Sequence, residues 1–327
     1  MSSTDRKLNA SSACPGAREV KRSVKLMGNN FSFVVVSENN DWANRMIDLA
    51  IMEISRIEQL LTTFSPLSET NRINENAGRR AVRVSQEVFN LIERSIRISQ
   101  VTDGAFDLTY GSLDKSLWNF DREMTRMPDD KIAKRMVRLI NYQHIQLNSN
   151  SSTVYLATRG MRLGFGAIGK GYAADVAKRL LVSKGVKSGI INASGDLVTW
   201  GTQVDGRPWT VGIADPDHTS LPFSYLNISD MAVATSGSYE KFVVIDGKKY
   251  SHTINPKTGL PVSGIKSVTI ITKNAELADA MATPVTVMGI RAGLNMINQM
   301  NMIECIIIDD NNNLYTSNNI KLHEAHV

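Results

Sequence analysis

The spacing of apolar residues predicts helices mainly in the first half of the chain. In the longest candidate, apolar residues recur every three or four positions, the period that places them on one face of a helix: Ile47, Ala50, Ile51, Ile54, Ile57 and Leu61. A second helix is predicted over Gln86–Val101, and a third over residues 131–140. Ahead of them, residues 24–36 are predicted to form two strands broken at 27–30.

From Ile145 onward, short apolar and β-branched runs predict strands. The candidates lie at residues 153–157, 189–192, 209–213, 242–245, 267–272 and 303–308. Helices are predicted between them at residues 172–184 and 274–288. Because strands cluster in one part and helices in another, we expect an α+β fold, with mixed or antiparallel sheets and helices packed around them.

Charge and composition narrow the class of protein. The 327-residue chain has a formal net charge of +5, but residues 1–26 hold six basic residues against two acidic ones. We therefore expect a flexible basic tail over residues 1–22, then one domain over 23–327 that is a single unit or two closely joined lobes. The near-neutral body does not favour nucleic-acid binding. No apolar run is long enough to span a membrane, and no export signal is visible, so a cytoplasmic location is predicted.

Cysteine usage points to neither disulfides nor a cysteine-rich metal site. The sequence contains only Cys14 and Cys305, and two such isolated cysteines form neither a disulfide framework nor a metal cluster. Cys305 lies in an apolar strand candidate, so core packing is its expected role.

The segment from Leu163 to Asp175 is rich in glycine and precedes a predicted helix. Glycines let backbone amides approach an anion, and a helix start adds free N–H groups, so this segment indicates a phosphate-bearing ligand. Two common fingerprints fit it incompletely. The dinucleotide turn lacks an acid about 20 residues on, and the nucleotide-triphosphate loop lacks a hydroxyl after Lys170. A plain glycine turn remains the alternative.

Two further segments carry candidate chemistry. Asp279 and Thr283 lie four residues apart in a predicted helix, so both oxygens point the same way and suit Mg²⁺; the alternative is a solvated helix face. His252 lies before a turn rich in Pro and Gly, where it could act as a base, although a lone loop histidine is more often structural.

Taken together, these segments resemble the ApbE family of flavin transferases, the FAD:protein FMN transferases. The matching motifs run in the family's order at residues 27–28, 64–74, 102–107, 166–175, 192–196, 234–237, 252–259 and 278–283. The chain departs from the family pattern at Gly164 and Asn255, where Asp is usual, and at Ala167, where a second glycine is usual.

The resemblance implies an ApbE-like, T-fold-related architecture and a Mg²⁺-dependent reaction. FAD would be split at its pyrophosphate, FMN would be joined to a Ser or Thr hydroxyl of an acceptor protein, and AMP would leave. By the same resemblance, one candidate acceptor would be a subunit of a membrane redox complex. Family members are often periplasmic and lipid-anchored.

The resemblance also implies site residues. His252 and Asp279 would be catalytic, and Mg²⁺ would be held by Ala167, Asp279 and Thr283. FAD would be bound by nine residues: Met27, Phe64, Ala105, Phe106, Asp107, Gly164, Lys170, His252 and Ile254. Two alternative functions stay open: hydrolysis of FAD to FMN and AMP with water as acceptor, and FAD binding without catalysis.

Overall fold

An eight-stranded antiparallel sheet is the largest element of the computed structural model, which describes residues 16–113, 126–214, 222–237 and 242–320. Its strands, in spatial order, are β1 (Arg18–Leu26), β2 (Asn29–Ser37), β6 (Gly189–Ala193), β7 (Asp196–Trp200), β10 (Ala232–Gly237), β13 (Ile265–Thr272), β14 (Ile303–Asp309) and β15 (Leu314–Thr316). The sheet therefore joins strands from both ends of the chain.

Smaller sheets and the helices surround this sheet. The other strands are β3 (Val82–Arg83), β4 (Ile145–Asn148) and β5 (Thr153–Leu156) in one sheet, and two hairpins, β8 (Trp209–Ala214) with β9 (Pro222–Ile228) and β11 (Phe242–Ile245) with β12 (Lys248–Ser251). The helices are α1 (Asn40–Leu61), α2 (Glu69–Glu75), α3 (Gln86–Val101), α4 (Asp130–Met136), α5 (Gly169–Ser183), α6 (Ala275–Met288) and α7 (Ile290–Ile297).

Both faces of the main sheet are covered near its centre. Helices α1, α5 and α6 pack side by side on one face, where Val198, Ala234 and Ile270 join the main core. Neighbouring residues in the same strands, such as Leu197 and Val233, point to the other face and pack beneath the β8–β9 hairpin. This alternation is the two-residue period of a strand. All eight residues of β13 are consequently buried.

The structure confirms the predicted α+β class, and most of the predicted elements are present. Helix α3 has the expected bounds, and Cys305 is buried in the core. Cys14 lies outside the described residues. No helix in the described part of the chain is both long and apolar enough to cross a membrane.

Three predicted boundaries are wrong. The expected tail over residues 1–22 overlaps β1, which pairs with β2 from Arg18 onward. Arg18, Lys21 and Arg22 therefore belong to an edge strand, where charge opposes unwanted pairing. Helix α5 starts at Gly169 rather than residue 172. Helix α4 ends at Met136 rather than residue 140, because the N–H of Ile140 turns back to the Val137 carbonyl.

Candidate active site

A cleft of about 650 Å³ opens where the turn between β6 and β7, the start of α5 and the helix α6 meet. Its lining comes from segments within residues 105–111, 162–170, 192–197, 233–237, 252–254 and 279–287, together with Asn29, Thr63, Val211 and Gly212. The cleft therefore brings most of the sequence motifs together, although they lie far apart along the chain.

Helices α5 and α6 cap each other's N-termini. The Asp279 carboxylate on α6 accepts a hydrogen bond from the backbone N–H group of Gly171 at 3.0 Å. In return, the Asp175 carboxylate on α5 accepts from Ala275 N–H at 3.1 Å and from Glu276 N–H at 2.9 Å. Neither helix has a side-chain cap of its own. This exchange orients Asp279 at the floor of the cleft.

The glycines of residues 163–175 serve different purposes. A Cβ on Gly171 would lie 2.1 Å from the Ala275 carbonyl oxygen, so this glycine permits the close approach of α5 and α6. A Cβ on Gly166 would meet no atom within 4 Å, and Gly166 lines the cleft. Of Gly166 and Gly171, only Gly166 leaves its backbone accessible to a ligand in the cleft. Part of the predicted phosphate loop is thus a helix–helix contact.

Lys170 lies between two buried carboxylates. Its Nζ pairs with Asp196 and lies 3.7 Å from Asp279 Oδ1. Burial alone would lower the pKa of Lys170, but the charges of Asp279 and Asp196 outweigh it and raise the pKa. Burial, with the nearby Asp279 charge, raises the pKa of Asp196 to about 7, and burial also raises the pKa of Asp279. The cluster therefore has an excess of buried negative charge when all three groups are ionised.

The predicted metal ligands fit a small divalent cation in their chemistry. Asp279, Thr283 and Ala167 all line the cleft. Thr283 Oγ1 has no hydrogen bond to any described residue, whereas Thr286 in the same helix bonds to the Ala282 carbonyl at 3.0 Å. An open hydroxyl beside excess buried carboxylate suits Mg²⁺, which takes few protein oxygens. The described residues contain no group of three or more His, Cys, Asp or Glu that could hold a metal.

The histidine side of the cleft is held by Tyr110, a residue that the sequence did not single out. His252 follows β12, is exposed and lines the cleft. Two residues later, the buried Ile254 donates its N–H to Tyr110 Oη at 3.1 Å. Burial raises the pKa of Tyr110, so its phenol keeps its proton at neutral pH. Nothing in the local pattern of the sequence marked Tyr110.

The predicted FAD contacts divide into two groups. Ala105, Phe106, Asp107, Gly164, Lys170, His252 and Ile254 all line the cleft. Met27 and Phe64 are not brought into the lining, although Thr63 and Asn29 beside them are. The Met27 N–H bonds to Glu58 Oε2 at 2.9 Å, and Phe64 is 97% exposed after the end of α1.

Asp107 has its carboxylate fully engaged within the protein. Oδ1 accepts from the N–H and hydroxyl of Thr109 at 2.7 and 2.6 Å, and Oδ2 accepts from Tyr142 N–H at 2.8 Å. Burial nevertheless raises the pKa of Asp107. These bonds tie Asp107 to Thr109 and to the backbone of Tyr142, a structural role that the sequence did not reveal.

Several known proteins are similar to this chain in sequence. The ApbE family profile matches residues 27–307. An FAD:protein FMN transferase of Klebsiella pneumoniae (strain 342) is 33% identical over 298 residues, covering 90% of both chains. One from Escherichia coli (strain K12) is 32% identical over 238 residues, covering 71% of this chain and 68% of the relative.

Solved structures agree with these relatives. The crystal structure of the ApbE protein from Thermotoga maritima superposes with a TM-score of 0.82 at 28% identity, covering 92% of this chain and 97% of that one. The flavin transferase ApbE from Vibrio cholerae gives a TM-score of 0.78 at 27% identity, covering 92% and 98%. The resemblance read from the motifs is thus confirmed: this chain belongs to the ApbE family.

Proposed function

We propose that this protein is a Mg²⁺-dependent FAD:protein FMN transferase that acts on a Ser or Thr hydroxyl of an acceptor protein. The observation that carries the proposal is the buried Lys170–Asp196–Asp279 cluster, with the open Thr283 hydroxyl one helical turn from Asp279, in a cleft of about 650 Å³. The names of the relatives support the transferase class.

The proposed reaction balances without an oxidant or reductant. The acceptor hydroxyl oxygen attacks the phosphorus on the flavin side of the FAD pyrophosphate, and a new P–O bond forms. The bond from that phosphorus to the bridging oxygen breaks, and AMP leaves with that oxygen. The hydroxyl proton passes to a base. Such phosphoryl transfer depends mainly on positioning and charge neutralisation.

The charge of the cleft supports the proposed requirement for a cation. Among the described lining residues, Asp107, Asp196 and Asp279 are acidic, and Arg162 and Lys170 are basic. When all five groups are ionised, a pyrophosphate therefore enters a cleft that already has an excess of one negative charge. When bound by Asp279, Thr283 and the Ala167 carbonyl, Mg²⁺ would neutralise charge on the pyrophosphate.

We assign the proton transfer to His252. It lies on the exposed side of the cleft, which an acceptor protein can reach, and the Tyr110–Ile254 hydrogen bond holds the segment that contains it. Histidine is suited to take a proton near neutral pH. The cytoplasmic location and the nature of the acceptor as a subunit of a membrane redox complex stay predictions.

The test is incubation of the purified protein with FAD, Mg²⁺ and a candidate acceptor. Covalent flavin fluorescence on the acceptor supports transfer. Free FMN and AMP without labelled acceptor would instead indicate hydrolysis, and unchanged bound FAD would indicate binding alone.

Two variants at one position sharpen this test. Asp279→Ala removes both the proposed metal ligand and the cap of α5, whereas Asp279→Asn keeps an oxygen that can cap the helix. We expect both variants to lose metal-dependent turnover, but only Asp279→Ala to lose marked stability. Full turnover of the folded Asp279→Asn protein would remove Asp279 from the metal site.

A further inference from the structure

We propose that Arg162, rather than Lys170, is the cation of this chain that binds the phosphates of the flavin nucleotide. The inference rests on the proposed function, because it assumes that FAD occupies the cleft. It assigns a ligand contact to a residue outside the motifs that identify the family.

Lys170 is poorly placed to bind a phosphate, because two carboxylates already neutralise its charge. Its ammonium group pairs with Asp196 and lies 3.7 Å from Asp279, and both carboxylates are buried. Binding a phosphate through Lys170 would bring a third anionic group to one ammonium that already contacts two carboxylates. The structure gives Lys170 the role of neutralising the cleft floor.

Arg162 has the opposite character. It lines the cleft and is exposed, and in the described part of the chain it has no carboxylate within salt-bridge distance. Its Nη2 donates to Asn71 Oδ1 at 3.3 Å. Asn71 is neutral, so this contact orients the guanidinium without cancelling its charge. The remaining N–H groups stay available to a ligand.

The backbone around Arg162 is held firmly. The Arg162 N–H donates to Ser112 Oγ at 2.7 Å, and Leu163 exchanges two hydrogen bonds with the buried Asn74, at 2.6 and 3.1 Å. Asn71 is anchored in turn by its bonds to the carbonyls of Thr63 and Ser65, at 2.9 and 2.7 Å. The guanidinium thus extends from a rigid support, which lowers the entropy lost when it binds a phosphate.

A planar guanidinium can donate two parallel hydrogen bonds to one phosphate group. Arg162 therefore distinguishes flavins by their phosphates. FAD and FMN carry phosphate and gain this contact, whereas riboflavin has the same ring system without phosphate and does not.

The test compares the affinities of FAD, FMN and riboflavin for the wild type and for Arg162→Gln and Arg162→Lys, by flavin fluorescence titration. Arg159→Gln is the matched control, because it removes the same charge from an exposed position outside the cleft lining. We expect Arg162→Gln to weaken FAD and FMN binding by roughly 10- to 100-fold, the size of a lost charge-assisted contact. Riboflavin binding should stay within about twofold. Arg162→Lys should be intermediate, and Arg159→Gln should bind all three ligands like the wild type.

Other outcomes would overturn the inference. Equal losses for riboflavin and FAD would mean that Arg162 shapes the cleft instead of binding phosphate. Unchanged FAD affinity, with a raised KM for the acceptor protein, would assign Arg162 to the acceptor. The titration needs neither acceptor nor turnover, so a wild type that binds FAD through Arg162 but transfers no FMN would refute the proposed function alone. A wild type that binds no FAD would refute both.

Discussion

The contact between α5 and α6 can be tested by adding one methyl group at Gly171. In Gly171→Ala the new Cβ would lie 2.1 Å from the Ala275 carbonyl oxygen and 2.8 Å from Asp279 Cβ. Both neighbours belong to a packed helix and cannot rotate away as a flexible side chain could. The two helices must therefore move apart by more than about 1 Å to restore van der Waals distances.

The magnitude follows from three contributions. Overpacking a close-packed contact costs about 1–3 kcal/mol. Separating the helices also weakens the 3.0 Å hydrogen bond from Gly171 N–H to the Asp279 carboxylate, a charged bond of about 1.5–3 kcal/mol. Against these, alanine is favoured over glycine in a helix by at most about 1 kcal/mol. The unfavourable terms dominate, and we expect a net loss of about 2–5 kcal/mol in the free energy of unfolding.

The assay is urea unfolding followed by tryptophan fluorescence, since Trp200 and Trp209 are both buried. Gly166→Ala is the matched control, because its Cβ would meet no atom within 4 Å and the residue is exposed in the cleft wall. It should unfold like the wild type while weakening FAD binding, because its methyl group enters the cleft. Equal stability of Gly171→Ala and the wild type would refute the view that Gly171 is required for helix contact.

Three other predictions concern the groups that hold the cleft together. Tyr110→Phe leaves the buried Ile254 N–H without its acceptor, so it should lower the free energy of unfolding by about 1–3 kcal/mol and slow FMN transfer; an unchanged melting curve and turnover would contradict this. Asp175→Ala removes the cap of α6 and should cost about 0.5–2 kcal/mol and raise the Mg²⁺ concentration for half-maximal turnover. Asp175→Asn should restore most of the lost stability and bring the Mg²⁺ concentration for half-maximal turnover close to that of the wild type. Asn39→Ala, which uncaps α1, should lower stability without changing that Mg²⁺ concentration. Burial raises the pKa of Asp175 above 3.8, so the folded state binds more protons than the unfolded chain; this contribution to stability is complete below that pH and is lost as the pH rises through the folded pKa. The free energy of unfolding, measured across this pH range, should fall with rising pH in the wild type and lack this decrease in Asp175→Asn.

Elements with a strong local period could be predicted from the sequence, and those without one could not. Helix α3 and strand β14 carry clear apolar patterns and lie close to where they were expected. The sequence of β10, Ala232–Gly237, contains small residues with little β preference and was not predicted as a strand. It becomes a strand because it lies between β7 and β13 in the centre of the sheet.

In the candidate site, too, residues related by a local pattern could be predicted, and residues brought together only by the fold could not. Asp279 and Thr283 could be paired because helical spacing relates them directly. The partners of Lys170 could not be identified, because Asp196 and Asp279 lie 26 and 109 positions away and only the fold brings them together. Arg162 and Tyr110 could not be found for a similar reason: their chemistry depends on Asn71 and Ile254, which no local pattern connects to them.

The start of α5 shows how a missing local signal can itself be informative. Ile168 occupies the N-cap position and offers no side-chain acceptor, so nothing in the sequence marked a helix start at Gly169. Helix α6 begins after Asn274, a residue type that often caps helices, yet Asn274 makes no capping bond here. Because unbonded N–H groups at a buried helix end are costly, each end must find an acceptor elsewhere, and the carboxylates of Asp279 and Asp175 supply them. A buried helix start without a local cap therefore predicts an acid from another element. In this protein one of those acids is also the proposed metal ligand, which couples assembly of the site to formation of both helices.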